Sequence, residues 1–249
     1  MLILGGTAEA LELARELNER GVMTMTSLAG RTRDPVMPVG EVRLGGFGGA
    51  DGLDAFLRSE GVPAVVDATH PFATAMTAQA RAAAASASVP YLRLARPDWS
   101  PEQGDRWHLV DDMGAAVTKA RILGRRIIAA IGRQELGRLR DAPDLQVVVR
   151  SVEPPGDLPA HMSWRQGRGP FAVEDEVALL RDERIEVVLA RASGGSGSAA
   201  KLEAARRLGL PVVLIRRPAE PDGVQDVAAA VDWVLSVLAG RSTCECPAA

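Results

Sequence analysis

Cysteine is almost absent from this chain: Cys244 and Cys246 are its only two, one residue apart near the C-terminus. They are too close for an ordinary structural bridge and too few for a zinc site, so nothing here requires an oxidising compartment. Histidine is scarce too, and His70, His108 and His161 show no metal-ligand spacing, so no metal is expected. The single tyrosine, Tyr91, has Ala95 four residues on, which excludes the Tyr-x-x-x-Lys pair of short-chain dehydrogenases. Positive charge is not in surplus: the formal net charge is −3, whereas a nucleic-acid partner demands a basic face that displaces phosphate counterions. No apolar run is long enough to span a bilayer, and Met1-Leu2-Ile3-Leu4 opens without a basic leader. The expectation is a cytoplasmic protein without a membrane partner. Lysine is the last shortage: Lys119 and Lys201 are the only two among 29 basic residues, and arginine is the better bidentate partner of carboxylate and phosphate.

What remains is ordinary globular material, 47% hydrophobic and 24% charged, enough to bury a sizeable core. Short aliphatic runs alternate with alanine- and leucine-rich segments, the rhythm of βαβ units in a parallel sheet covered by helices. The pattern predicts strands near 1–5, 22–28, 42–45, 64–69 and 90–95, with helices near 8–20, 50–60 and 73–88. Residues 96–105 carry two prolines and a glycine between periodic regions and read as a linker. Beyond it, strands are expected near 106–110, 126–131, 146–151, 186–191 and 211–216, with helices near 112–123, 134–140, 173–183, 198–208 and 224–239. The fold class is therefore α/β, with two Rossmann-like parallel-sheet domains and a cleft between them. One domain is expected over 1–97, the other over 98–240, and a disordered tail over 241–249. Residues 153–170, with four prolines and three glycines, read as a surface loop with room for one short strand.

Four constellations can carry chemistry. In Leu2-Ile3-Leu4-Gly5-Gly6-Thr7 an apolar strand breaks at paired glycines and runs into a helix. Such glycines let backbone approach a pyrophosphate, Thr7 can donate a hydroxyl, and the helix N-terminus offers N–H groups and a favourable dipole. The bland alternative is a tight βα turn. At the end of the second strand, where an acidic residue would suit the ribose of NAD, the chain offers Arg31, Thr32 and Arg33, which suit the 2′-phosphate of NADP; a solvated basic turn is the alternative. Val65-Val66-Asp67-Ala68-Thr69-His70-Pro71 ends a third strand with polar groups. Thr69 and His70 can meet a nicotinamide or a substrate there, and Asp67 can orient the turn, although a histidine before proline is more often a cap or core residue. Arg191-Ala192-Ser193-Gly194-Gly195-Ser196-Gly197-Ser198, with Lys201 beyond, can form an anion nest or a flexible turn. Two rival templates fail: Ser198 occupies the final glycine of a G-x-S-x-G elbow, and Ala200 precedes Lys201 where a P-loop needs glycine.

Taken in order, these blocks resemble the precorrin-6A reductase and cobalt-precorrin-6A reductase family. The resemblance rests on Leu4-Gly5-Gly6-Thr7-Ala8-Glu9, Gly30-Arg31-Thr32, Gly45-Gly46-Phe47-Gly48-Gly49 and Asp67-Ala68-Thr69-His70-Pro71-Phe72-Ala73. It continues through Leu94-Ala95-Arg96-Pro97 with Trp99, Gly104-Asp105-Arg106-Trp107, Gly169-Pro170-Phe171, Ser193-Gly194-Gly195 with Lys201, and Arg217-Pro218. One departure is Arg191-Ala192 where many members have Lys followed by Asp or Asn. The resemblance implies hydride transfer from NADPH to a double bond of precorrin-6A, giving precorrin-6B in cobalamin biosynthesis, or the same step on the cobalt-containing macrocycle. The cofactor would be held by Gly5, Gly6, Thr7, Glu9, Arg31, Thr32, Arg33 and Thr69. The tetrapyrrole's carboxylate arms would meet Arg93, Arg96, Arg133, Arg191, Ser193, Gly194, Gly195 and Lys201. His70 is the candidate for positioning or acid catalysis. The competing expectations are another NADP-dependent reductase on a related scaffold and a non-enzymatic NADPH sensor.

Overall fold

The computed structural model describes residues 1–30, 35–219 and 222–242. The strands β1 (Leu2–Leu4), β2 (Met25–Leu28), β3 (Glu41–Leu44), β4 (Val65–Asp67) and β5 (Tyr91–Arg93) form one parallel sheet in the order β3-β2-β1-β4-β5. Between them run α1 (Ala8–Glu19), α2 (Ala50–Ser59) and α3 (Thr74–Ala87). Side chains alternate across the pleat: Leu2, Leu4 and Val65 pack with Leu53, Leu57 and Ala80 of α2 and α3, whereas Ile3 and Val66 pack with Leu13 and Leu17 of α1. A parallel sheet covered on both faces favours apolar residues at successive positions, which is why the central β1 and β4 read as aliphatic runs, whereas the edge strand β3 tolerates Glu41 and Arg43.

The second sheet is also parallel throughout. It is built from β6 (Trp107–Val110), β7 (Arg126–Ala130), β8 (Gln146–Ser151), β9 (Met162–Gln166), β10 (Val187–Arg191) and β11 (Val212–Ile215), in the order β6-β11-β10-β7-β8-β9. Its helices are α4 (Met113–Leu123), α5 (Gly137–Arg140), α6 (Val173–Asp182) and α7 (Ala200–Arg207). Ile128, Val148, Val188 and Leu214 bury one face against Leu180 of α6 and Leu202 of α7, while α4 packs against β6, β10 and β11. The proline-rich segment supplies the short strand, β9, which pairs with β8 through Val149↔Trp164 and its neighbours. Its edge position explains its weak pattern, since an edge strand tolerates Ser163, Arg165 and Gln166. The helix expected over 134–140 resolves into a 3₁₀ turn, Arg133–Glu135, followed by the four-residue α5.

The structure divides into two compact units, and the second ends earlier than the expected 98–240. One unit comprises Met1–Pro97 and Pro218–Ala249, the other Asp98–Arg217. The last helix, α8 (Val227–Ser242), belongs to the first unit, because Ala230, Val231 and Val234 bury against the α1 face of the first sheet. The returning segment also extends that sheet: Val224 bridges Leu94 in parallel, its N–H donating to Arg93 O at 2.9 Å and its carbonyl accepting from Ala95 N–H at 2.9 Å. Contiguity in sequence hid this return. Of the expected tail, residues 243–249 lie outside the described residues. Among the described residues no helix is long and apolar enough to cross a membrane.

Candidate functional site

In open α/β sheets ligands bind outside the carboxyl ends of the strands, where the strand order reverses. In the first sheet that point lies between β1, whose successors run to one side, and β4, whose successor runs to the other. Gly5-Gly6-Thr7 follows β1, and Ala68-Thr69-His70 follows β4. A Cβ on Gly5 would stand 2.7 Å from Thr26 Cγ2 and 3.2 Å from Leu28 Cδ2, so close packing against β2 requires glycine. Gly6 has φ +106°, a left-handed conformation, and a Cβ there would meet nothing within 4 Å. The backbone thus stays bare and approachable just ahead of the twelve-residue α1, whose first amides lack carbonyl partners within the helix. These features fit a dinucleotide's pyrophosphate.

Thr7 is committed differently from the expectation. Its hydroxyl donates to Ala68 O at 2.7 Å while its oxygen accepts from Ala10 N–H at 3.1 Å, so its hydrogen serves the fold and not a ligand. Thr69 is similarly engaged. Its N–H and hydroxyl both donate to Asp67 Oδ1, at 3.0 and 2.7 Å. Arg93 completes the network: its guanidinium donates to Asp67 Oδ1 at 2.9 Å, to Asp67 O at 3.0 Å and to Thr69 O at 3.1 Å. The Arg93 and Asp67 side chains are 1% and 0% exposed. Arg93 therefore corrects the expectation of a substrate clamp, because an inaccessible, fully engaged guanidinium cannot receive a carboxylate arm. Tyr91 donates its hydroxyl to Asp67 Oδ2 at 3.0 Å, and burial together with the Asp67 charge pushes its phenol well above the ordinary range.

His70 follows directly. Its Nδ1 accepts from Phe72 N–H at 3.3 Å, which assigns the proton of the neutral ring to Nε2. Glu9 and Arg96, expected to face cofactor and substrate respectively, pair with each other at 2.8 Å. Arg31, Thr32 and Arg33 lie outside the described residues. In β3, Arg43 shapes the Gly45-Gly46-Phe47 block, donating to Gly45 O at 2.8 Å and Gly46 O at 2.9 Å and stacking 3.9 Å from the Phe47 ring centroid.

The second sheet reverses between β7 and β10. Arg133 follows β7 and pairs with Glu153 at 3.2 Å, and Arg191 ends β10 in an ion pair with Glu135. Ser193, Gly194 and Gly195 form the turn after β10, with φ of +66° at Gly194 and +71° at Gly195. Lys201 donates to Ser198 O at 2.6 Å and lies 5.2 Å from the Trp99 ring centroid. The structure thus gathers Arg133, Arg191, Ser193, Gly194, Gly195 and Lys201 within one unit, and Gly5, Gly6, Thr7, Glu9, Thr69, His70, Arg93 and Arg96 within the other. Sequence reasoning missed Glu135, which follows β7 at the reversal point, and Glu153, which follows the neighbouring β8, although each pairs with an expected arginine. The Oε2 of Glu135 is buried without a hydrogen-bond partner.

Two parallel-sheet units, each with a glycine turn at its reversal point, define a two-domain α/β protein. A family model described as "Precorrin-6x reductase CbiJ/CobK" matches residues 1–235. The precorrin-6A reductase of Rhodococcus erythropolis is 48% identical over 239 residues, covering 94% of this chain and 96% of the relative. That of Rhodobacter capsulatus is 45% identical over 241 residues, covering 96% and 95%. The solved structure of CobK precorrin-6A reductase superposes with a TM-score of 0.90 at 43% identity, covering 95% of this chain and 96% of that one. The chain belongs to the precorrin-6x reductase family.

Proposed function

We propose that this chain reduces a double bond of precorrin-6A to give precorrin-6B in cobalamin biosynthesis, with NADPH as the reductant. The observation that carries the reading is the bare, left-handed Gly6 at the reversal point of the first sheet, within a chain matched along its length by reductases of this substrate. NADPH, when bound, supplies the hydride, and a conjugated macrocycle accepts it without a metal or a covalent enzyme intermediate. The protein's task is then alignment.

In this reading Gly5, Gly6 and the N-terminus of α1 hold the pyrophosphate, while Arg31, Thr32 and Arg33 hold the 2′-phosphate. The Asp67-Arg93-Thr69 network fixes the backbone on which His70 stands, so that the Nε2–H side of the ring orients the nicotinamide or the macrocycle. Arg133, Arg191, Lys201 and the Ser193-Gly194-Gly195 turn bind the carboxylate arms, with Glu153 and Glu135 holding the arginines until substrate displaces them. The names of the two relatives above favour the metal-free macrocycle. The cofactor assignment is tested by titrating wild type, Arg31→Ala and Arg33→Ala with NADPH and NADH. Loss of a charge-assisted contact worth roughly 1.5–3 kcal/mol weakens NADPH by at least about tenfold and leaves NADH unchanged. Undiminished discrimination in both variants removes the arginines from the assignment.

A further inference from the structure

We propose that Trp99 and Arg217 are positioning residues that hold the Ser193-Gly194-Gly195 turn with its amides turned toward a carboxylate arm of the tetrapyrrole. This rests on the reading of that turn as a substrate site. Trp99 Nε1–H donates to Gly195 O at 2.7 Å, and an Arg217 Nη2–H donates to Ser193 O at 3.0 Å. The carbonyls on either side of Gly194 are therefore both drawn onto protein donors. In a trans peptide the C=O and N–H point in opposite directions, and Gly169-Pro170 is the one cis bond among the described residues. Fixing the Ser193 and Gly195 carbonyls consequently turns the N–H of Gly194 away from Arg217 and that of Ser196 away from Trp99. Backbone N–H groups exposed in a glycine turn can bind a carboxylate, and the left-handed φ of Gly194 and Gly195 is a conformation that glycine adopts without strain.

Trp99 reaches a second component of the same site. Its ring lies 5.2 Å from the Lys201 ammonium, which is itself anchored by its 2.6 Å hydrogen bond to Ser198 O. One indole thereby sets both the amide turn and the nearest lysine. Arg217 in turn pairs with Asp98 at 3.1 Å, the residue preceding Trp99, so the two donors are tied to each other as well as to the turn. Trp99 and Arg217-Pro218 are sequence blocks that the strand pattern alone leaves without a role. Their shared hold on one glycine turn supplies it.

The test separates this role from a general structural one by comparing KM, kcat and cofactor affinity. Trp99→Phe keeps an aromatic ring near Lys201 and removes the Nε1–H donor. It is expected to raise the KM for precorrin-6A by about three- to tenfold, the worth of one hydrogen bond, with kcat and the NADPH Kd within about twofold of wild type. Arg217→Met is expected to raise the KM likewise, and Arg217→Lys, which restores a donor, to reverse at least half of that rise. If Arg217→Met does not fold, Trp99→Phe and Arg217→Lys carry the test. An unchanged KM in folded Trp99→Phe overturns the proposal. A weakened NADPH Kd with unchanged tetrapyrrole binding also overturns it, because the turn then serves the cofactor's phosphates. A wild-type protein that neither binds nor turns over precorrin-6A refutes the functional reading instead, and that outcome is visible before any variant is made.

Discussion

The hydroxyl of Thr7 donates to the carbonyl of Ala68 at 2.7 Å across 61 residues of sequence, joining the turn after β1 to the turn after β4. The same oxygen caps α1 by accepting from Ala10 N–H. Thr7→Val removes the cap and leaves a buried carbonyl unsatisfied, a predicted loss of roughly 2–4 kcal/mol by chemical denaturation. Thr7→Ser keeps both bonds and is expected within about 1 kcal/mol of wild type. Equal stability of Thr7→Val and Thr7→Ser contradicts the structural assignment.

Arg93→Met strands the Asp67 carboxylate in a fully buried site. Breaking a buried pair from one side costs about 3–5 kcal/mol. By contrast the Arg58–Asp54 pair is solvent-facing, with side chains 54% and 24% exposed, and Arg58→Ala is predicted to leave stability close to that of wild type. Denaturation of the two variants side by side distinguishes them. A fully stable Arg93→Met with impaired substrate binding would return Arg93 to the role of clamp.

Tyr91 makes a prediction about alkaline stability. Its phenol is raised above the ordinary value of 10.0, first by burial and then by the Asp67 charge. A raised folded-state value means that the contribution is complete below the unfolded value and is lost as pH rises above it, when the unfolded chain ionises first. Stability is therefore predicted to fall above about pH 10, and Tyr91→Phe to flatten that fall. As the only tyrosine, it also gives an unambiguous tyrosinate absorbance titration. A midpoint at the ordinary value refutes the buried environment.

His70→Asn probes alignment against proton transfer. General acid catalysis contributes typically 10²–10⁴-fold, so a positioning role predicts a loss below about a hundredfold with residual turnover. The pH dependence of single-turnover NADPH oxidation is expected to keep its shape in the variant. Abolished turnover with loss of one limb, while both ligands still bind, identifies His70 as the acid.

The layered sheets were legible because parallel strands buried on both faces announce themselves as aliphatic runs, and glycine pairs at Gly5-Gly6 and Gly194-Gly195 mark the turns that follow. What was not legible came from contacts without local pattern. Val224 and α8 return to the first sheet after the whole second unit, and the generally apolar sequence of α8 carries no label of the sheet it covers. Arg93 reads as a strand-end cation, and only its register beside Asp67 shows that it points into the protein. Thr7 and Thr69 look like ligand donors in sequence, yet their hydrogens are spent on Ala68 and Asp67. Short-range motifs locate the reversal points, whereas the division of polar groups between fold and ligand depends on long-range pairing.

Hydride transfer from NADPH to the macrocycle, as proposed, leaves an isotopic record in the product. NADPH carrying deuterium at the transferable position is incubated anaerobically with precorrin-6A and the protein, and the macrocycle is analysed by mass spectrometry. One carbon-bound deuterium per reduced macrocycle, with stoichiometric cofactor oxidation, is the predicted result. Unoxidised cofactor in the presence of bound macrocycle, or a reduced product whose added hydrogens come only from solvent, would contradict it.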